Sequence, residues 1–312
     1  MTPFPAAALL LLAAPLAACA APRGPSAPDL AAPVEATSLL GEPLRRPTQD
    51  AATRARLEAD LALARARHDS APADADRIVW LGRRLGYLGR YREAIGVFTR
   101  GIALHPDDAR LLRHRGHRYV TVREFARAQA DLERAAELVR GRPDEVEPDG
   151  APNRFGIPTS TLQGNIWYHL GLVRYLRGDF AGALDAYREA MAVSTNDDTR
   201  VATSDWLYMT LRRLGRDAEA ARVLEPIRRD MRILENDAYH RRLLMYRGEI
   251  PPDSLLAGGA DPLTVATQGY GVGNWYLYNG DRARAMQVFR RVVAGGNWSA
   301  FGYIAAEAEL AR

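Results

Sequence analysis

The sequence contains no lysine: all 42 basic residues of its 312 are arginine, set against 38 Asp and Glu. Every positive side chain is therefore a planar guanidinium that pairs with carboxylates through two parallel bonds and stacks on aromatic rings. The acids are interleaved with the arginines nearly one for one, and the formal net charge is only +4, so the pI of about 9.3 does not amount to a nucleic-acid surface. Cysteine occurs once, as Cys19, which excludes disulfides within the chain and cysteine-based zinc or iron–sulfur centres. The sequence has no GxSxG, no HExxH, no glycine loop suited to cradle phosphate and no pair of acids that spacing singles out. It thus assigns no catalytic residue, metal or cofactor. Long apolar runs are nearly absent too. The one at residues 6–18 carries no charge, but its 13 residues fall short of the ~20 that a membrane-crossing helix needs. What is present, 47% hydrophobic and 26% charged residues, is the range of a folded soluble chain.

The apolar run has the length of a signal-peptide core and ends in Leu16-Ala17-Ala18-Cys19. This ending resembles the lipobox of bacterial lipoproteins. The resemblance implies that residues 1–18 are removed and that Cys19 carries the lipid anchor, facing the periplasm at the outer membrane in a Gram-negative cell. Ala18-Cys19-Ala20 also fits the small-x-small pattern of ordinary secretory cleavage, and the sequence leaves the two open. Residues 19–48 are rich in Ala and Pro, which reads as a disordered tether.

The remainder repeats itself. Gly82, Tyr91, Ala94 and Phe98 recur 34 residues later as Gly116, Phe125, Ala128 and Leu132. Gly171, Phe180, Ala183 and Tyr187 form a third copy, Gly215, Ala220 and Leu224 a fourth, and Gly273, Gly280, Ala285 and Phe289 a last one. Small residues recur where two helices must approach, and large ones recur beside them. Gly178, Gly215 and Gly280 fall where a first helix stops, with Asp179 and Asp281 as N-cap candidates. The pattern resembles the tetratricopeptide repeat, whose 34 residues form a helix–turn–helix. That implies an all-α, right-handed solenoid of antiparallel helix pairs. The expected layout is a capping helix over 49–74, repeats one and two over 75–140, an insertion at 141–163 and repeats three and four over 164–232. A degenerate repeat and the final one follow over 233–296, then a C-terminal capping helix over 297–312. In the insertion, Ser160 with Gln163 suggests a capping box, and the segment is expected to fold back on the inner groove.

In the repeat family, partners are held by fixed positions of each first helix. Carried onto this chain, those positions are Arg83; Arg110, Arg113 and His117; Asn165, Tyr168 and Tyr175; Asp205, Met209 and Arg212; and Tyr270 and Asn274. Arginines among tyrosines and amides suit carboxylates, acidic peptides or sugars. The family's best-known peptide clamp places a basic residue and an Asn where this chain has Arg113 and His117, so that clamp is not reproduced. His114 and His117 share a helix face, but no third metal ligand accompanies them. The expectation is a scaffold for other proteins or peptides, tethered to the membrane by lipid, with a groove binder of peptides or glycans as the alternative.

Overall fold

The computed structural model describes residues 31–257 and 262–312. Residues 1–18, expected to be a signal peptide, and Cys19 lie outside these residues. The all-α solenoid expected from the repeats is present. Its first helices are α2 (Ala75–Tyr87), α4 (Ala109–Thr121), α6 (Leu162–Leu176), α8 (Asp197–Arg213) and α12 (Pro262–Tyr278). Each is followed by an antiparallel partner: α3 (Tyr91–Leu104), α5 (Phe125–Val139), α7 (Phe180–Ala192), α9 (Asp217–Leu224) and α13 (Arg282–Ala294). The helix α1 (Ala51–Ser70) precedes them. The copy around Gly248 consists of α10 (Asp237–Tyr246) and the six-residue α11 (Pro252–Ala257), and α14 (Phe301–Ala311) ends the chain. The first helices touch one another along the array, α2 with α4, α4 with α6, α6 with α8 and α8 with α12, which puts them on the inside of the curve.

The repeated residues explain the pairing. Each conserved-spacing glycine lies opposite the large residue sixteen positions on, so that ring or branched chain sits directly on helix backbone. A Cβ at Gly171 would stand 2.7 Å from Tyr187, one at Gly116 2.9 Å from Leu132 and one at Gly273 2.5 Å from Phe289. Burying each of those large side chains contributes about 1.5–3 kcal/mol. We expect Gly171→Ala to lower stability by about 1–3 kcal/mol through overpacking. Gly96, where a Cβ meets only the tip of Arg100 at 3.7 Å, should gain about 0.5–1 kcal/mol as Ala, by relief of backbone entropy alone. Urea titration of the two variants would show opposite shifts; like-signed shifts would refute the packing account.

Capping sets the helix starts. Asp50, Asp74, Asp108 and Asn196 each accept a bond from the first turn of α1, α2, α4 and α8, while Asp179 and Asp281 do so for α7 and α13. In α6 the cap is Thr161, which accepts from the Gly164 N–H at 3.2 Å, one residue beyond the Ser160 expected from the sequence.

The N-terminal tether is shorter than composition suggests. Within 19–48, residues Val34–Thr37 (β1) and Pro43–Arg45 (β2) form an antiparallel hairpin with Ala36 opposite Leu44. It is held by Glu35, which is buried. Its carboxylate takes Arg46 Nη2 at 2.7 Å and the Arg92 N–H at 3.0 Å, and its carbonyl accepts from Arg92 Nε at 2.8 Å. The hairpin thereby docks on α3.

The C-terminal helix also departs from expectation. It does not only cover the end of the array, because it reaches back to the early repeats. The indole N–H of Trp298 donates to the Arg45 carbonyl at 2.7 Å, and the ring packs edge-on against Tyr91. Glu307, fully buried, receives Arg123 Nε at 2.8 Å, and Glu309 receives Arg213 Nη1 at 2.7 Å. Arg312 donates to the Tyr175 and Leu176 carbonyls at the end of α6. Residues from Gly302 to Glu309 are all buried, as befits a helix surrounded on every side.

Candidate functional site

Because α14 and Phe301 lie against the first helices, the inner face is not one continuous trough. The expected docking residues divide into three groups. Tyr175, Asp205, Met209, Tyr270 and Asn274 are enclosed. Tyr175 Oη accepts from Tyr270 Oη at 2.9 Å and from Asn274 Nδ2 at 2.8 Å. Asp205 Oδ2 stands 2.6 Å from Arg242 Nη2, whose other neighbour is Met209 Sδ at 3.1 Å. These positions are on the first helices as expected, but they are covered by α10, α12 and α14 and build a polar core. Arg110 and Arg212 lie at the rim, Arg110 on Asp108 and Asp76, Arg212 on Asp217 at 2.7 Å and stacked on Tyr278.

The rest border two openings. The first lies between α6, α8 and α10. It is a cavity of about 270 Å³ lined by Thr159, Asn165, Tyr168, His169, Thr199, Thr203, Glu235 and Tyr239, with Phe301 at one edge. Its lining mixes hydroxyls, amides and the Glu235 carboxylate with aromatic rings and the apolar Ala190, Val193 and Ala202. The Tyr168 hydroxyl donates to that of Tyr239 at 3.1 Å. His169 Nδ1 donates to the Asn165 carbonyl at 2.6 Å, which fixes the tautomer and leaves Nε2 as an acceptor; it is buried and no donor of the described residues reaches it. Burial and the charges of Arg113 and Arg118 push the His169 imidazole down to about 3, so it is neutral at physiological pH. His117 packs between His169, at 4.4 Å between ring centroids, and Phe301, at 5.3 Å. Its pKa, too, is driven well below the ordinary value by burial, then by Arg118.

The second opening lies between α2 and α4. It is crossed by the insertion, which pairs with itself through the Glu147 N–H to the Ser160 carbonyl at 3.0 Å and the Leu162 N–H to the Glu145 carbonyl at 2.8 Å. Arg83 Nη1 donates to the Pro148 carbonyl at 2.8 Å, and Arg84 Nη1 to that of Gly150 at 3.0 Å. Glu147 then dips inward to Arg113 and Asn165. Of the residues that matter here, Arg84, Arg118 and Glu147 were not among the expected positions. The faces of a first helix are assigned by counting, and Arg118 lies one residue past a counted position. Among the described residues, no three His, Cys, Asp or Glu cluster as metal ligands would, and no helix is long and apolar enough to cross a membrane.

Stacked antiparallel pairs, small residues at each pair's contact and left-handed turns between them define a tetratricopeptide-type solenoid. No protein-family profile matches the sequence. Among curated proteins, the BBSome complex member BBS4 of Bos taurus is 25% identical over 140 residues, 45% of this chain and 23% of the relative, so the chain spans under a quarter of that protein. Among solved structures, a tetratricopeptide repeat protein from Parabacteroides merdae is 16% identical with a TM-score of 0.49, covering 82% of this chain and 93% of that one. YrrB, described as a tetratricopeptide protein with an unusual peptide-binding site, is 16% identical with a TM-score of 0.42, covering 74% and 91%.

Proposed function

We propose that the chain is an interaction scaffold tethered to the cell envelope, which docks a segment of another protein in the cleft between α6, α8 and α10. The observation that carries this reading is the His169 Nε2 acceptor, buried and without a donor among the described residues, beside a cleft that mixes hydroxyls, amides and the Glu235 carboxylate with apolar Val193, Ala202 and Phe301. A buried polar atom left unpaired costs about 1–3 kcal/mol, and a side-chain shift that opens Nε2 to a backbone N–H entering the cleft would supply the missing bond. The anchor rests on the Leu-Ala-Ala-Cys ending at Cys19. Affinity capture from detergent-solubilised envelopes is the test of docking; absence of any specific partner across several growth states counts against it. For the tether, cells fed an alkyne fatty acid should label the native chain and leave Cys19→Ala unlabelled, with the variant released from the membrane fraction. Equal labelling of the two would refute the lipid site.

The facing hydroxyls of Tyr168 and Tyr239 favour a second reading, a glycan or short free peptide in the same cleft. A thermal-shift panel separates the two, since a groove ligand at a hundredfold excess over Kd stabilises by about 2.7 kcal/mol.

A further inference from the structure

The opening between α2 and α4 holds more positive charge than the protein itself satisfies. Arg83, Arg113 and Arg118 converge on a pocket of about 160 Å³, which His114, Glu147 and Asp149 also line. Gly86 makes room for Arg118: a Cβ there would stand 3.2 Å from its Nη1. Arg118 rests on the Tyr91 ring at 5.4 Å, Arg83 on Trp80 at 4.5 Å, and no carboxylate of the described residues pairs with either. Arg113 is only 7% exposed. Its Nε lies 3.2 Å from Glu147 Oε2 but is misaligned and makes no hydrogen bond, while its Nη1 is directed to His114 Nδ1 at 2.8 Å. The His114 Nε2–H thus faces Glu147 Oε1 at 3.5 Å, beyond bonding distance. The one sound bond to the Glu147 carboxylate comes from Asn165 Nδ2, at 2.9 Å. Withdrawing guanidinium groups from water is unfavourable by several kcal/mol each unless well-aligned acceptors replace the water. Arg113, the buried one of the three, does not meet that condition, whereas Arg83 and Arg118 are half-buried and Arg83 has the Pro148 carbonyl.

The carboxylate comes from a segment that lies in the opening as an extended peptide would. Residues 145–148 have a cavity on either flank, the 160 Å³ pocket and another of about 210 Å³ that also reaches Asp76, Trp80 and Arg110. Arg83, His114, Glu147 and Pro148 line both. Helix α2 holds the segment by its carbonyls at Pro148 and Gly150, bonds that any backbone can make. Val146, at its centre, is 64% exposed, so little apolar burial retains it.

The geometry points to an arginine-lined site for an extended acidic peptide, in which Glu147 of the insertion is a built-in, displaceable occupant. A partner segment with a carboxylate in the Glu147 position and a further one reaching Arg118 forms the aligned bonds that the insertion does not. The insertion then sets a threshold that only a better-matched acidic segment crosses. This rests on the reading of the chain as a docking scaffold and names the chemistry of one partner segment.

The test uses the full mature chain and a fluorescent synthetic peptide with the sequence of residues 144–149, followed by anisotropy. A charge-assisted bond is worth about 1.5–3 kcal/mol, or roughly 10- to 100-fold in Kd. Glu147→Gln, which empties the site of its internal carboxylate, should bind the peptide at least about tenfold more tightly than the native chain. Adding Arg118→Gln should reverse that gain, and a peptide with both glutamates replaced by glutamine should bind neither protein. Unchanged affinity in Glu147→Gln would overturn the proposal, since the expected gain cannot arise from loss of folding, and so would equal binding of the glutamine peptide. Free glutarate binding as tightly as the peptide would overturn the peptide as the source of the carboxylate. If envelope partners are captured equally by the native chain and by Arg118→Gln, the arginine site fails and the scaffold reading stands. If the native chain captures none while the peptide binds, the scaffold reading fails and the site stands.

Discussion

Replacing Arg123 with alanine should destabilise the fold by about 3–5 kcal/mol, a value typical of a buried ion pair that loses one partner. Arg123 and Glu307 are 184 residues apart in sequence and both are buried. Arg123 also donates to the Trp298 carbonyl at 2.8 Å. Its backbone has φ of 66°, in the left-handed region, and among the described residues no other non-glycine does. The corresponding turns of the other repeats use Gly89, Gly178, Gly215, Gly248 and Gly280. A left-handed non-glycine residue carries about 1–2 kcal/mol of strain. Arg123→Gly should therefore recover that much of the alanine variant's loss while still lacking the ion pair. Chemical denaturation of the two variants measures both terms: the difference between them is the strain, and the remainder is the pair. If Arg123→Gly exceeds the native chain in stability by the full strain of about 1–2 kcal/mol, the contact to Glu307 contributes nothing and the closure is not held by this pair.

Acidification should unfold the protein earlier than its carboxylates alone would. His114, His117 and His169 are held neutral by burial, the last of them at about 3 against an ordinary 6.5. Their folded pKa values lie below the unfolded value. Their contribution is complete above pH 6.5 and is lost as pH falls, because the unfolded chain takes up protons that the folded one refuses. Each lowers stability as the pH falls below that point. Asp205 acts in the opposite sense. Burial pushes its carboxyl up to about 7 against the pull of Arg242, so the folded form gains a proton between pH 7 and 3.8 before the unfolded form does. Three losses against one gain leave a net fall in stability as the pH drops below 6.5. For a fold of ordinary marginal stability, about 5–15 kcal/mol, that decline moves acid unfolding to a higher pH. Urea midpoints at pH 7.5, 6, 5 and 4.5 check it, and a flat profile over that span would contradict the neutral, buried state of the three imidazoles.

The repeats were legible because their packing rule is local. Gly171 and Tyr187 meet within one helix pair, so spacing alone reveals them. The hairpin was not, because β1 and β2 have only four and three residues, and their burial depends on Arg92 and Trp298, contributed from elsewhere in the chain. The inner-face residues were legible as positions but not as surface. Tyr175, Tyr270 and Asn274 face inward as counted, yet whether they meet solvent depends on α14, which no repeat pattern places. A trace of the closure does exist in the sequence. Arg123 occupies the turn position that glycine fills elsewhere, an exception that signals a required side chain. Glu147 left no comparable trace, because a loop acid reads as solvated until its neighbours are known.

A linear stack of repeats is free to fray, each end unzipping with little consequence for the middle. The bonds of Trp298 to the Arg45 carbonyl and of Arg123 to Glu307 fasten the two ends of this stack to each other. Neither terminus can then peel away alone, and the amide protons of the hairpin and of α14 should exchange together, in a single opening event, rather than in sequence from the tips. Anything that tugs on the residues before Val34 would load this latch first, so mechanical tension there is transmitted at once to the far end of the chain.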